Sequence, residues 1–133
     1  MPTVADRPMS VKLRSWLDEK LRSEFEERGE STSEGLRRIV EEWWAERRLQ
    51  GIEFREGLSG RRAAVEDGPE VWEIVSAFRD HEGDREGLGE HFGWLADEKI
   101  EAALEYYERF PDRVEGQIEE NERAGRFLAE RLG

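Results

Sequence analysis

Met9-Ser10-Val11-Lys12-Leu13-Arg14-Ser15 alternates apolar and polar side chains without a break, and two of its polar residues are cations. A period of two is that of an extended strand, so Met9, Val11 and Leu13 share one face while Ser10, Lys12 and Arg14 share the other. The basic face stands out because the chain as a whole carries a formal net charge of -12. That charge is uneven. Residues 1–50 hold 10 Lys/Arg against 11 Asp/Glu, whereas residues 51–133 hold 11 against 22. An acidic surface repels a phosphate backbone, so nucleic-acid contact is expected from the N-terminal part alone.

Working outward from the strand, Leu17, Leu21 and Phe25 recur every fourth residue, which predicts an amphipathic helix from Trp16 that Gly29 ends. Ser31-Thr32-Ser33-Glu34 reads as a capping box, with the Ser31 hydroxyl accepting from the Glu34 amide. The helix it opens carries Leu36, Ile39, Val40, Trp43 and Trp44 at i, i+3, i+4, i+7 and i+8, a stripe expected to be buried. Strand, helix, helix is too little chain to cover these side chains, and a lone strand leaves its backbone polar groups unpaired. A second copy is therefore expected to pair with the strand, burying Met9, Val11 and Leu13 and turning Ser10, Lys12 and Arg14 outward. Such a two-stranded ribbon fits the major groove of B-DNA.

On these residues the segment 9–48 resembles the ribbon-helix-helix family of DNA-binding proteins, the MetJ/Arc/CopG type, whose second helix starts with a Gly-x-Ser-x-Ser-Glu pattern similar to Gly29 through Glu34. The resemblance implies that Ser10, Lys12 and Arg14 read bases and that the amides at Ser31, Thr32 and Ser33 hold a phosphate at a helix N-terminus. The chain departs from the family at Glu30, where a basic residue is common, and at Gly35, where a branched apolar residue is usual.

The character changes at Gly51, which predicts two domains, 1–50 for DNA binding and dimerisation and 51–133 as an acidic helical domain. Ile52-x-Phe54 and Arg61 to Val65 flank a glycine-containing turn and read as a short hairpin. Helices are expected after Gly68-Pro69 with Val71, Trp72, Ile74, Val75 and Phe78, around Leu88 and Phe92, from Trp94 to a stop at Phe110-Pro111, and from Asp112 onward. The last of these is largely polar in its outer half, where Phe127, Leu128 and Leu132 need a partner to be ordered.

Residues 52–123 resemble the domain-of-unknown-function family numbered 433, on Gly68-x-x-Val71-Trp72-x-Ile74, the Gly83-Asp84 turn and Leu95-x-x-Glu98-x-Ile100-x-Ala102-Ala103-Leu104-x-Tyr106-Tyr107. That family has a helix-turn-helix-like core and occurs in antitoxins of the VapB type, encoded beside PIN-like ribonuclease toxins. The fold class expected is thus mainly α with a short N-terminal strand, a ribbon-helix-helix dimer plus a small β-hairpin and a helix-turn-helix-like helical C-terminal domain. The function implied is an antitoxin that binds operator DNA as a homodimer, or a higher even oligomer, and neutralises a PIN-like toxin. Arg123, Arg126 and Arg131, with Phe127 beside them, are the candidates for that contact. The alternatives are a stand-alone repressor whose second domain binds an effector or oligomerises, and an interaction module whose ribbon only dimerises.

Chemistry other than binding has little support in the sequence. The chain has no cysteine, and His81 and His91, ten residues apart, are too few for a zinc set. Carboxylate pairs such as Glu41/Glu42 and Glu119/Glu120 are expected as solvated helix faces, and Gly57-x-x-Gly60-Arg61 lacks the Gly-Lys-Ser/Thr end of a phosphate loop. No enzyme, cofactor or metal site is expected. With no apolar run near the roughly 20 residues of a membrane span and no leader-like N-terminus, the reading is a cytoplasmic protein without a membrane partner.

Overall fold

The computed structural model describes residues 7–57 and 60–132, and over these the chain forms six helices and one two-stranded antiparallel hairpin. It divides into two compact units, one ending at Ala45 and the other beginning at Glu46, so the division falls inside a helix rather than at Gly51.

In the first unit, α1 (Ser15–Arg28) and α2 (Thr32–Arg48) are joined through Gly29. Gly29 has φ 71°, a left-handed conformation that a residue without Cβ adopts freely, and the amides of Gly29 and Glu30 close α1 on the carbonyls of Glu26 and Phe25. The Glu34 amide donates to Ser31 Oγ at 3.1 Å, which starts α2 where the capping pattern places it. Residues 8–14 carry no strand in the single chain, since no neighbouring strand is present to pair with them. Met9 and Val11 are 98% and 74% exposed.

The stripe on α2 that a second copy is expected to cover is uncovered in the single chain. Val40 and Trp43 are exposed, and Leu36, Ile39 and Trp44 are partly so. Instead α2 turns in its other face, with Gly35 and Ala45 buried and Arg38 and Glu42 half-buried between them. The cause is Phe25, 2% exposed, whose ring lies on Gly35. A Cβ at position 35 would stand 2.3 Å from Phe25 Cδ1, so the close approach of α1 requires a residue without a side chain there.

In the second unit, β1 (Ile52–Gly57) pairs with β2 (Gly60–Val65) in a register that sets Ile52 opposite Val65 and Phe54 opposite Ala63. The turn residues Leu58 and Ser59 lie outside the described residues. Four helices follow: α3 (Val71–Asp80), α4 (Arg85–His91), α5 (Asp97–Arg109) and α6 (Pro111–Leu132). The core is Val65, Val71, Ile74, Val75, Leu88, Ile100, Ala103 and Val114, all at most 2% exposed, with α3 packed on α4, α5, α6 and β2. Arg55 ties the β2–α3 turn by donating to the carbonyls of Gly68 and Val65, each at 2.9 Å. Pro111 opens α6 as a residue whose missing N–H is no loss in the first helical turn.

One helix start differs from expectation. α5 begins at Asp97, not Trp94, because Leu95 is drawn into the core by a turn whose amide donates to Phe92 O at 2.8 Å, leaving Ala96 extended as the N-cap. Trp94 is left exposed. Across α3, α5 and α6, Arg79 donates to the Tyr107 hydroxyl at 2.7 Å and pairs with Glu115, and Tyr107 donates to the same carboxylate. The Tyr107 hydroxyl first, and Arg79 second, hold the Glu115 carboxyl below its ordinary range.

The Phe25–Gly35 contact makes one substitution diagnostic. Gly35→Ala should gain helix propensity of about 1 kcal/mol yet lose more by displacing the ring, for a net destabilisation of roughly 1–2 kcal/mol. Urea denaturation of the variant against wild type measures it, and a stabilised variant would show that Phe25 does not need position 35 bare.

Candidate nucleic-acid and partner interfaces

The N-terminal candidates sit on two neighbouring stretches of the first unit. Ser10, Lys12 and Arg14 are exposed in the segment before α1, and the backbone carbonyl of Arg14 accepts from the Asp18 amide, which fixes where the segment ends and the helix begins. Alternation of Met9, Val11 and Leu13 with Ser10, Lys12 and Arg14 therefore persists to the first helical residue. The apolar members are as exposed as the basic ones in a single chain, which is a cost of about 25 cal/mol for each Å² of apolar surface left in water.

Ser31, Thr32 and Ser33 come together at the start of α2. Ser31 Oγ is engaged as the cap, Thr32 Oγ1 accepts from Arg22 Nη1 at 3.4 Å, and Ser33 is exposed. Arg22 itself is held by Asp18 at 3.0 Å, so a cation from α1 stands beside the helix start. Glu30, just before the helix start, is not an open charge. Arg38 takes both of its oxygens, at 2.8 and 3.1 Å, and also pairs with Glu42 at 3.1 Å. These side chains are 14% (Arg38), 19% (Glu30) and 13% (Glu42) exposed, and the paired carboxylates raise the Arg38 pKa, Glu30 contributing most. The ion triad straps the Gly29–Ser31 turn to α2 and neutralises Glu30, while Glu34 stays in the first turn of the helix.

The C-terminal candidates lie on the outer half of α6, where every residue from Glu119 to Leu132 is exposed. Arg123 pairs with Glu119 one turn earlier at 3.2 Å, and Arg131 lies over the Phe127 ring at 4.9 Å. Arg126 is exposed. Leu128 and Leu132 are one turn apart and so share a side of the helix, with Phe127 adjoining. This is an amphipathic segment whose apolar line has no cover among the described residues of its unit.

His81 and His91, expected on different elements, are brought to 5.4 Å between ring centroids by the turn that joins α3 to α4. Among the described residues no group of three His, Asp or Glu side chains could hold a metal ion. No helix there is long and apolar enough to cross a membrane.

Compared with protein-family models, curated proteins and solved structures, the chain matches none. The functional reading therefore rests on residues and geometry.

Sequence reasoning missed the Glu30–Arg38–Glu42 strap, although Arg38 and Glu42 at i, i+4 were a visible signal. Arg38→Ala leaves two half-buried carboxylates facing each other and should destabilise the first unit by about 2 kcal/mol, whereas Arg22→Ala, which removes an exposed pair, should cost less than about 1 kcal/mol. Chemical denaturation of both variants provides the comparison, and equal costs would contradict the strap.

Proposed function

We propose that the chain is a dimeric operator-binding autorepressor and antitoxin: the segment around Met9–Arg14 pairs with its twin to form a DNA-reading ribbon, and the outer half of α6 covers a PIN-like ribonuclease toxin. The observation that carries this reading is the exposure of Met9, Val11 and Leu13 on one side of an unbroken alternation that puts Lys12 and Arg14 on the other. Pairing two such strands satisfies their backbone groups and buries the apolar row at once. Exposed Trp43 and Val40, with half-exposed Leu36, Ile39 and Trp44, extend the apolar surface available to the same second copy.

Arginine and lysine on the outer face of the ribbon suit guanine edges and phosphates, and serine suits several bases. The start of α2 adds backbone amides suited to a phosphate, with Arg22 beside it and Glu30 masked by Arg38. The acid-rich remainder of the chain is kept from DNA by its own charge and is better suited to a protein partner. For that partner, the apolar line of Phe127, Leu128 and Leu132 flanked by Arg123, Arg126 and Arg131 supports a helix-in-groove contact, with a cation available to an acidic nuclease pocket.

The test uses the full chain expressed with its neighbouring genes. Duplexes selected by the wild type should bind Lys12→Ala/Arg14→Ala about 100-fold more weakly, because two contacts worth about 1–3 kcal/mol each are lost, while light scattering still reports a dimer. A small nuclease should co-purify with wild type and not with Phe127→Asp/Leu128→Asp. Unchanged DNA affinity overturns the ribbon. A repressor that recovers no protein partner replaces the antitoxin with the stand-alone reading.

A further inference from the structure

We propose that His81 and His91 form a two-imidazole site for a late first-row divalent transition metal, of the copper or nickel class, at the turn between α3 and α4. They are the only histidines in the chain and stand ten residues apart. The fold brings them together. His81 follows the last residue of α3, Glu82 and Gly83 reverse the chain with φ 54° and 78°, and α4 then ends on His91. The two ring centroids are 5.4 Å apart, with the planes at 67°. Imidazoles that share one ion, each nitrogen about 2.0–2.1 Å from it, hold their centroids roughly 4.5–5.2 Å apart. A small rotation of the exposed His91 ring closes the difference.

Both rings are available. Among the described residues neither imidazole takes part in a hydrogen bond or an ion pair, and their contacts are ring edges, His91 lying on Phe92 at 4.7 Å. Gly87 leaves room beside them. A Cβ there would stand 3.3 Å from His81 Nδ1 and 2.9 Å from Asp84 Oδ2, so a ring nitrogen and a carboxylate oxygen converge where that glycine has no side chain. His91 comes one helical turn after Gly87, on the same side of α4. Asp84 is held through its other oxygen, which accepts from the Glu86 amide at 3.1 Å. Its charge favours a dication nearby. Arg85, the one arginine or lysine among residues 80–90, is engaged by α5, pairing with Asp97 at 3.6 Å and Glu101 at 2.6 Å. Three protein donors are not gathered about one point among the described residues, so water completes the coordination. That sets the class of ion. Imidazole donors rank copper and nickel above the earlier first-row divalent metals, whereas a structural zinc site needs four protein ligands.

Isothermal titration of the full chain with Cu²⁺ and with Ni²⁺ in a non-chelating buffer, joined to electron paramagnetic resonance of the Cu²⁺ form, tests the site. One ion per chain is expected, with nitrogen hyperfine splitting from two imidazoles. His81→Ala and His91→Ala should each weaken binding by about tenfold or more and remove one nitrogen from the splitting. Their thermal unfolding without metal should stay close to that of wild type, because neither ring is buried. Glu86→Gln/Glu90→Gln, which removes nearby carboxylates and keeps both rings, should bind as wild type does. A wild type that takes up neither ion overturns the proposal. So does binding that both histidine variants leave unchanged, or that the Glu86/Glu90 variant loses, because carboxylates or the chain terminus then hold the ion.

Discussion

Phe25 is the one large side chain that the described residues up to Ala45 bury, and the packing of α1 on α2 depends on its ring lying against Gly35. Around that contact the first unit is tied by the Glu30–Arg38–Glu42 strap, by Arg22 on Thr32 and by the small buried Ala45. Such a segment cannot remove enough apolar surface from water to offset the entropy of ordering its backbone. Met9, Val11, Trp16, Val40 and Trp43 stay largely exposed. The proposed dimer follows from this shortage. In that proposed dimer a second copy would supply both hydrogen-bond partners for the segment before α1 and cover for α2.

The second unit solves the same problem alone. Its hairpin, α3 and α5 close around Val65, Ile74, Ile100 and Val114, and polar ties such as Arg55 to the β2–α3 turn and Lys99 to Glu66 O at 2.7 Å fix its connections. Stability is thus unevenly placed along the chain, with a self-sufficient acidic part and an N-terminal part that gains most from association. In the proposed function this asymmetry has a use: DNA affinity is tied to dimer formation, while the outer half of α6 remains available to a protein partner.

What was legible in the sequence was local. Gly29 as the stop of α1, Ser31 as the cap of α2, the hairpin from Ile52 to Val65 and Phe110-Pro111 as the stop of α5 each follow from the conformational preferences of a few adjacent residues. The reading failed where a distant residue decides. The face that α2 turns toward α1 is chosen by Phe25, ten positions before Gly35, a contact that the periodicity of the larger apolar stripe does not reveal. Leu95 leaves the helix expected of it because the core near Gly68 and Val65 claims its side chain. Arg62 of β2 reaches Glu120 of α6 at 3.3 Å, a pairing that no spacing in the chain encodes. The alternation over residues 9–14 is the reverse case, plain in the sequence and without a strand partner among the described residues.

Amide hydrogen exchange over residues 9–14, followed as the protein is diluted through its self-association, tests the central claim most directly. If two copies pair through this segment, alternate amides should be strongly protected in the associated form and lose that protection together with the dimer mass. Rapid exchange throughout 9–14 at concentrations where light scattering reports a dimer would contradict the ribbon and move the interface to another surface.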